Sequence, residues 1–184
     1  MRLKSQMLKN TANRYGLIAI TFHWVIALLI LGMLALGLYM VDLPISLNKL
    51  RLYGWHKEFG ILILILAMLR IFWRYLNVAP VLPTHLARLQ KIAAKSAHYI
   101  FYFLMIAMPL TGWMMSSSAG VPVSFFGLFV LPDLVSANKN LSQLLASIHG
   151  WMAYFLIAMI TLHVGAALQH HFYYKDDVLK RMMP

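Results

Sequence analysis

Residues 147–171 read SIHGWMAYFLIAMITLHVGAALQHH, and this stretch decides what kind of molecule the chain is. It contains no Lys, Arg, Asp or Glu, and it exceeds the ~20 apolar residues that a helix needs to cross a hydrocarbon core. Within it, His149 and His163 are fourteen residues apart. At ~100° per residue, fourteen steps return to within about 40° of the starting face, and at ~1.5 Å per residue they climb roughly 21 Å. One spanning helix therefore offers two imidazoles, on one face, to two stacked metal centres.

Further apolar runs lie at about 17–41, 54–76 and 95–117, so with 147–171 the chain carries four candidate spans and predicts an all-α membrane bundle in a single domain, 1–184. Composition agrees. Of 184 residues, 61% are hydrophobic and 11% charged, and the mean hydropathy is +0.72, whereas about a quarter of the residues in soluble domains are charged. The first run follows Arg2, Lys4, Lys9 and Arg14 as a signal peptide would, but Tyr39-Met40-Val41 is too bulky for a cleavage site, so an uncleaved first span is expected. There is no cysteine, which excludes structural disulfides, thiolate-held iron–sulfur clusters and covalently attached haem.

The formal charge of +11 is not read as a nucleic-acid footprint, because the basic residues gather in short segments between apolar runs. Membrane lipid headgroups are the simpler partner. Twelve of the sixteen Lys and Arg residues fall in the amino terminus, in 70–95 and in the tail, all on one side of a four-span topology. The positive-inside rule makes that side cytoplasmic, so both termini are expected inside. Pro80 and Pro83 break the inner connection, and Thr84 is expected to cap a short interfacial helix over about 84–94 carrying Arg88 and Lys91. The outer connections are Asp42 to Leu52 and Ser118 to Ala146. The stretch Val121–Val135, broken by Pro122, Gly127 and Pro132, is expected to lie along the surface as a lid.

Depth decides which histidines can share a metal. Measured from the run midpoints at ~1.5 Å per residue, His23 lies roughly 9 Å and His163 about 6 Å toward the cytoplasm, while His56 and His149 lie about 15 Å toward the outside. Two levels result, each with two histidines. His98, about 13 Å toward the cytoplasm by the same rise, ranks behind His23 as the partner of His163. Any one histidine at a span end is more often an interfacial hydrogen-bonding group than a ligand. Four at two matched depths suit haem iron, which takes an axial ligand on each face when it only transfers electrons. Zinc fits less well, with no cysteine and hardly any intramembrane carboxylate in the chain.

Arg70, fourteen residues after His56, shares the His56 face at the level of the inner pair. With no carboxylate in the inner half of any span, its expected anion is a haem propionate; the alternative is that it snorkels to headgroups with Arg74. Gly32, Gly37, Gly60, Gly150 and Gly165 lie where a flat macrocycle would pass, or where helices simply pack closely. Pro109 and Gly112 should bend the third span.

Arg14-Tyr15 leading to Phe22-His23-Trp24, Leu69-Arg70 to Trp73-Arg74, and above all His149-Gly150-Trp151 through His163 to Gln169-His170-His171-Phe172-Tyr173 and the tail from Lys175 to Pro184 resemble the bacterial cytochrome b561 family. The resemblance covers nearly the whole chain. It implies a four-helix inner-membrane protein with two b haems, the inner between His23 and His163 and the outer between His56 and His149. It also implies, for one branch of the family, superoxide oxidation at the periplasmic side with the electron passed to ubiquinone.

For such a reaction Lys49, Arg51 and Lys57 would steer a small anion to the outer rim, although Asp42 and Glu58 interleave with them. His98 and His170, both near the cytoplasmic surface, are candidates to hydrogen-bond quinone carbonyls and relay protons, against a bland interfacial role. His85 and His171 read as surface groups. The competing class is a non-catalytic electron-transfer subunit linking the quinone pool to a periplasmic or membrane redox partner that docks on the lid. A transporter reading lacks the carboxylates such relays carry.

Overall fold

The computed structural model describes residues 8–83 and 86–183. Four long helices run up and down: α1 (Leu17–Val41), α2 (Leu47–Tyr75), α3 (Arg88–Ser118) and α4 (Lys139–Gln169). Between α3 and α4 the antiparallel strands β1 (Val123–Phe125) and β2 (Phe129–Leu131) form a hairpin. A π-helical turn, His170–Tyr174, extends α4 and ends at Lys175 in the left-handed conformation, and a 3-10 turn follows at Lys180–Met182.

Local chemistry sets the boundaries. The hydroxyl of Ser46 accepts from the Lys49 N–H (3.2 Å) and starts α2, and Asn138 Oδ1 accepts from the Leu141 N–H (3.0 Å) and starts α4. Before α1, the amino-terminal segment folds back so tightly that a Cβ on Gly16 would collide with the backbone of Leu8 and Lys9. Asn10 clamps this approach, accepting from Gly16 N–H and donating to Val78 O, both at 2.9 Å.

Three expectations need correction. The separate interfacial helix at about 84–94 is not seen: Thr84 and His85 lie outside the described residues, and Arg88 onward is the beginning of α3, because nothing between Arg88 and the apolar run interrupts the helix. The outer connection Asp42–Leu52 shrinks to Asp42–Ser46, since the Ser46 cap starts α2 early. The lid is a β-hairpin. Its turn places Phe126 and Gly127 at positive φ (51° and 72°), and sequence gives little warning of this because a bulky residue in that region is uncommon. Phe126 is held there by edge contacts with Phe59 of α2 and with Phe125, at centroid distances of 5.3 and 4.9 Å.

Sequence neighbours pack on each other, α1 on α2, α2 on α3 and α3 on α4. The shared apolar centre is small: Ile26, Ala67 and Met105, surrounded by Phe22, Ile30, Leu66 and Tyr102. Large apolar side chains such as Leu28, Leu31, Phe103, Trp151 and Leu162 point outward, an arrangement that lipid satisfies and water does not. By length and composition α1, α3 and α4 with its π turn suffice to cross a membrane. In α2, charged residues at both ends bound the uncharged stretch Phe59–Leu69, and its place rests on packing against α1 and α3.

Both described chain ends and the α2–α3 connection meet at one end of the bundle. Val81 N–H donates to Ala12 O (2.9 Å), Arg181 to Val81 O (2.6 Å), Trp24 Nε1 to Met182 O (2.8 Å) and Arg14 to Met183 O (3.4 Å). At the opposite end the hairpin is fastened by Ser116 to Val121 O (2.7 Å), Leu134 N–H to Ser117 Oγ (3.2 Å) and Trp113 Nε1 to Pro132 O (3.1 Å).

Candidate functional site

Two histidine pairs meet inside the bundle. His23 of α1 faces His163 of α4 with ring centroids 6.2 Å apart, and His56 of α2 faces His149 of α4, also at 6.2 Å. The helices that bring each pair together, α1 with α4 and α2 with α4, are not close-packed along their lengths, so the imidazoles reach across a gap. Two metal–nitrogen bonds of about 2.0–2.1 Å, plus about 1 Å from each nitrogen to its ring centre, span about 6 Å. The spacing therefore fits one metal ion held between two rings. Among the described residues no group of three or more His, Cys, Asp or Glu is arranged around a metal. A planar macrocycle that supplies the equatorial ligands, as haem does, makes two imidazoles sufficient.

Bare backbone surrounds the hairpin-end pair. A Cβ on Gly37 would stand 3.2 Å from Cε1 of His56, and one on Gly112 would stand 3.2 Å from Cε1 of His149. Glycine at those two positions is what lets each ring lie against the neighbouring helix. Apart from their own helical turn, Gly32, Gly150 and Gly165 have nothing within 4 Å of such a Cβ, and Gly60 has only the tip of Met33. The Nδ1 of His56 is buried with no protein partner. For His149, Nδ1 lies 3.1 Å from Thr111 Oγ1, whose own hydroxyl donates to Met108 O at 2.8 Å.

The terminal-end pair is more crowded. His98 of α3 also approaches His163, at 6.5 Å, and Phe101 sets its edge on the same ring at 5.2 Å. Arg70 Nη2 lies 3.2 Å from Nδ1 of His23. Arg70 and Arg74 both sit over the ring of Tyr102, at 5.9 and 5.5 Å, a contact that eases burial of the two cations. His170, the residue that caps α4 and opens the π-helical turn, donates from Nδ1 to Asp176 at 2.6 Å. No hydrogen bond or ring contact joins it to His98 among the described interactions. His171, expected at the surface, is instead part-buried, with its Nδ1 enclosed and without a hydrogen-bond partner.

The basic residues of the outer rim are largely occupied. Lys49 donates to Val41 O (3.0 Å) and Leu43 O (2.6 Å), tying off the carbonyl end of α1, and lies 5.8 Å from the Tyr53 ring. Lys57 donates to Pro122 O (2.7 Å) and Ser116 Oγ (3.5 Å), pinning the hairpin. Arg51 is exposed.

Thr111, Tyr102 and Asp176 thus stand beside candidate site residues without having been singled out in the sequence. Thr111 left one clue, its place next to Gly112 and Pro109. Asp176 left its proximity to His170 in the tail. Tyr102 left none beyond a four-residue spacing from His98 on the same helix face.

The family model for prokaryotic cytochrome b561 matches residues 14–184. Cytochrome b561 homolog 2 of Escherichia coli (strain K12) is 35% identical over 95% of this chain and 93% of its own length. Cytochrome b561 homolog 1 of the same organism is 32% identical over 94% and 98%. A probable superoxide oxidase, CybB, of Yersinia pestis is 30% identical over 94% and 97%.

Proposed function

The chain belongs to the prokaryotic cytochrome b561 family, and from that premise we propose a two-haem electron carrier of the bacterial inner membrane that oxidises superoxide at its hairpin end and reduces ubiquinone at its terminal end. Membership brings haem b, electron transfer and a membrane location. The observation that carries the finer reading is the pair of histidine couples, each 6.2 Å apart, at levels roughly 21 Å apart along α4.

In this reading His23 and His163 hold one haem and His56 and His149 the other. Each haem supplies a one-electron carrier, and the two together form a relay through the bundle. Arg70 would hold a propionate of the haem at the His23 level. Two superoxide anions give up one electron each and leave as two O2, while one quinone takes up the two electrons and two protons to become quinol. The cationic rim of Lys49, Arg51 and Lys57 attracts the anion at long range, because an ammonium held by carbonyls keeps its charge. His98 and His170 line the quinone end, and the Asp176 carboxylate holds His170 with its Nδ1–H turned away and Nε2 available. The concentration of basic residues at the terminal end supports a cytoplasmic placement of both termini. Superoxide as the donor is supported by the similarity to the probable superoxide oxidase of Yersinia pestis.

The second reading, an electron-transfer subunit with a periplasmic or membrane redox partner, is favoured by one observation: Leu128, Phe129 and Val130 stand exposed on the hairpin. Stopped-flow mixing of the purified holoprotein with a superoxide source and ubiquinone separates the two. Superoxide-driven haem reduction followed by quinone-dependent reoxidation supports the oxidase; haems that superoxide does not reduce, but quinol does, leave the subunit reading.

A further inference from the structure

We propose that Thr111 is the positioning residue that fixes His149 in its metal-binding tautomer and sets the donor strength of that ligand. The inference deepens the haem reading above and rests on it. The Thr111 hydroxyl has one hydrogen, and that hydrogen is committed to Met108 O at 2.8 Å. What Oγ1 presents to His149 Nδ1 at 3.1 Å is therefore a lone pair. The proton between them belongs to the imidazole. In a neutral ring with hydrogen on Nδ1, the free lone pair is on Nε2, the nitrogen left to face a metal.

Local backbone makes the arrangement possible. The Thr111 hydroxyl returns to the Met108 carbonyl, three residues back within the same turn of α3. Gly112, the next residue, has no side chain, and its bare Cα receives the His149 ring at 3.2 Å from the Cβ position. Two adjacent residues of α3 thus hold one ring, Gly112 by shape and Thr111 by direction.

The same bond has an electronic consequence. An imidazole that donates its Nδ1–H to an oxygen is more basic at Nε2, which stabilises the more highly charged iron and lowers the reduction potential. Arg70, 3.2 Å from His23 Nδ1, brings a positive charge to the other pair and acts in the opposite sense. The hairpin-end centre is biased to give up electrons and the terminal-end centre to accept them, so the direction of transfer follows from one hydrogen bond at His149 and one buried positive charge, Arg70, beside the other pair.

The test is a spectroelectrochemical titration of the holoprotein in detergent or nanodiscs, with haem stoichiometry measured in parallel. Thr111→Val should retain both haems and raise the potential of the His149 centre by about tenfold in its reduction equilibrium, about 59 mV for one electron, with the other centre unmoved. Thr111→Ser should restore the wild-type value. Thr111→Ala, which adds no bulk, is titrated alongside so that poor loading of the valine variant leaves a result: a rise in the alanine variant supports the proposal. Unchanged potentials in Thr111→Ala, or a Thr111→Ser variant displaced as far as Thr111→Ala, would overturn it. His149→Ala separates the two levels of inference, because retention of both haems there removes the ligand assignment itself.

Discussion

Arg70 Nη2 stands 3.2 Å from Nδ1 of His23, a contact between a group that only donates and a ring nitrogen that must then accept. The hydrogen of a neutral His23 ring is placed on Nε2 by that contact. Ligation through Nε2 requires the reverse tautomer, so binding of iron obliges Arg70 to leave the ring for another acceptor. A propionate carboxylate satisfies a guanidinium in two parallel hydrogen bonds. Arg70→Gln is therefore expected to weaken retention of the inner haem by roughly 10–100-fold, the range for loss of an outer-shell partner, and to lower its potential. Haem stoichiometry and redox titration check both; an unchanged potential with full loading would remove the propionate role.

His163 faces both His23 at 6.2 Å and His98 at 6.5 Å. The depth argument and the shorter distance both favour His23. His163→Ala and His23→Ala are each expected to lose about one haem of reduced-minus-oxidised absorbance, and His98→Ala to keep both. Loss of the inner haem in His98→Ala with its retention in His23→Ala would exchange the two assignments.

The glycines separate into two groups that mutagenesis can read. At Gly37 and Gly112 a methyl group would press on the rings of His56 and His149, so Gly37→Val and Gly112→Val should deplete the outer haem and spare the inner one. At Gly32 the same position meets nothing within 4 Å apart from its own helical turn, and Gly32→Ala should leave both haems, with helix propensity improved by up to about 1 kcal/mol. Absorbance spectra of the three variants are the measurement; equal haem loss in all of them would mean that glycine serves general helix packing.

Ala67 is fully buried between Ile26 and Met105, between the two histidine levels. Ala67→Leu is expected to cost about 1–3 kcal/mol through overpacking, seen as a lower unfolding temperature in detergent, with haem ligation the first property to suffer because the helices must separate. A melting curve superimposable on the wild type would show that the small core does not set the helix spacing.

In the tail, the hydrogen bond and charge of Arg181 hold the Asp177 carboxyl below its ordinary range. A depressed carboxylate contributes stability above its unfolded value and loses it as pH falls through the folded one. Since Asp177 is exposed and only Arg181 is part-buried, solvent screens the pair and that contribution is small. Asp177→Asn should lower the unfolding temperature slightly at neutral pH, and the difference should vanish in acid. Asp176→Asn, which disturbs the shielded His170 partner, should act more strongly on quinone-dependent reoxidation than on folding.

Much of the fold was legible because a bilayer imposes simple rules. The uncharged stretch of 147–171 and the basic clusters flanking each run needed only helical rise and solvation to be understood. The two histidine levels followed from the same rise. Lys49 and Lys57 were visible as charges, but their use as caps for α1 and the hairpin was not, because carbonyl acceptors carry no mark in the sequence. The Phe126–Gly127 turn was hidden for a related reason: the strain of a bulky residue at positive φ is accepted only where Phe59 waits to pack against it.

Periodicity and hydropathy, which are properties of consecutive residues, settled the helical membrane class and the shared end of the basic segments. Contacts between helices distant in the chain settled the rest. That Gly37 receives His56, that Thr111 meets His149, that Arg70 rests on His23 and that His98 also approaches His163 all depend on how helices rotate and space themselves against one another. Rotation is fixed by side-chain packing over the whole bundle, and no local stretch of residues contains that information.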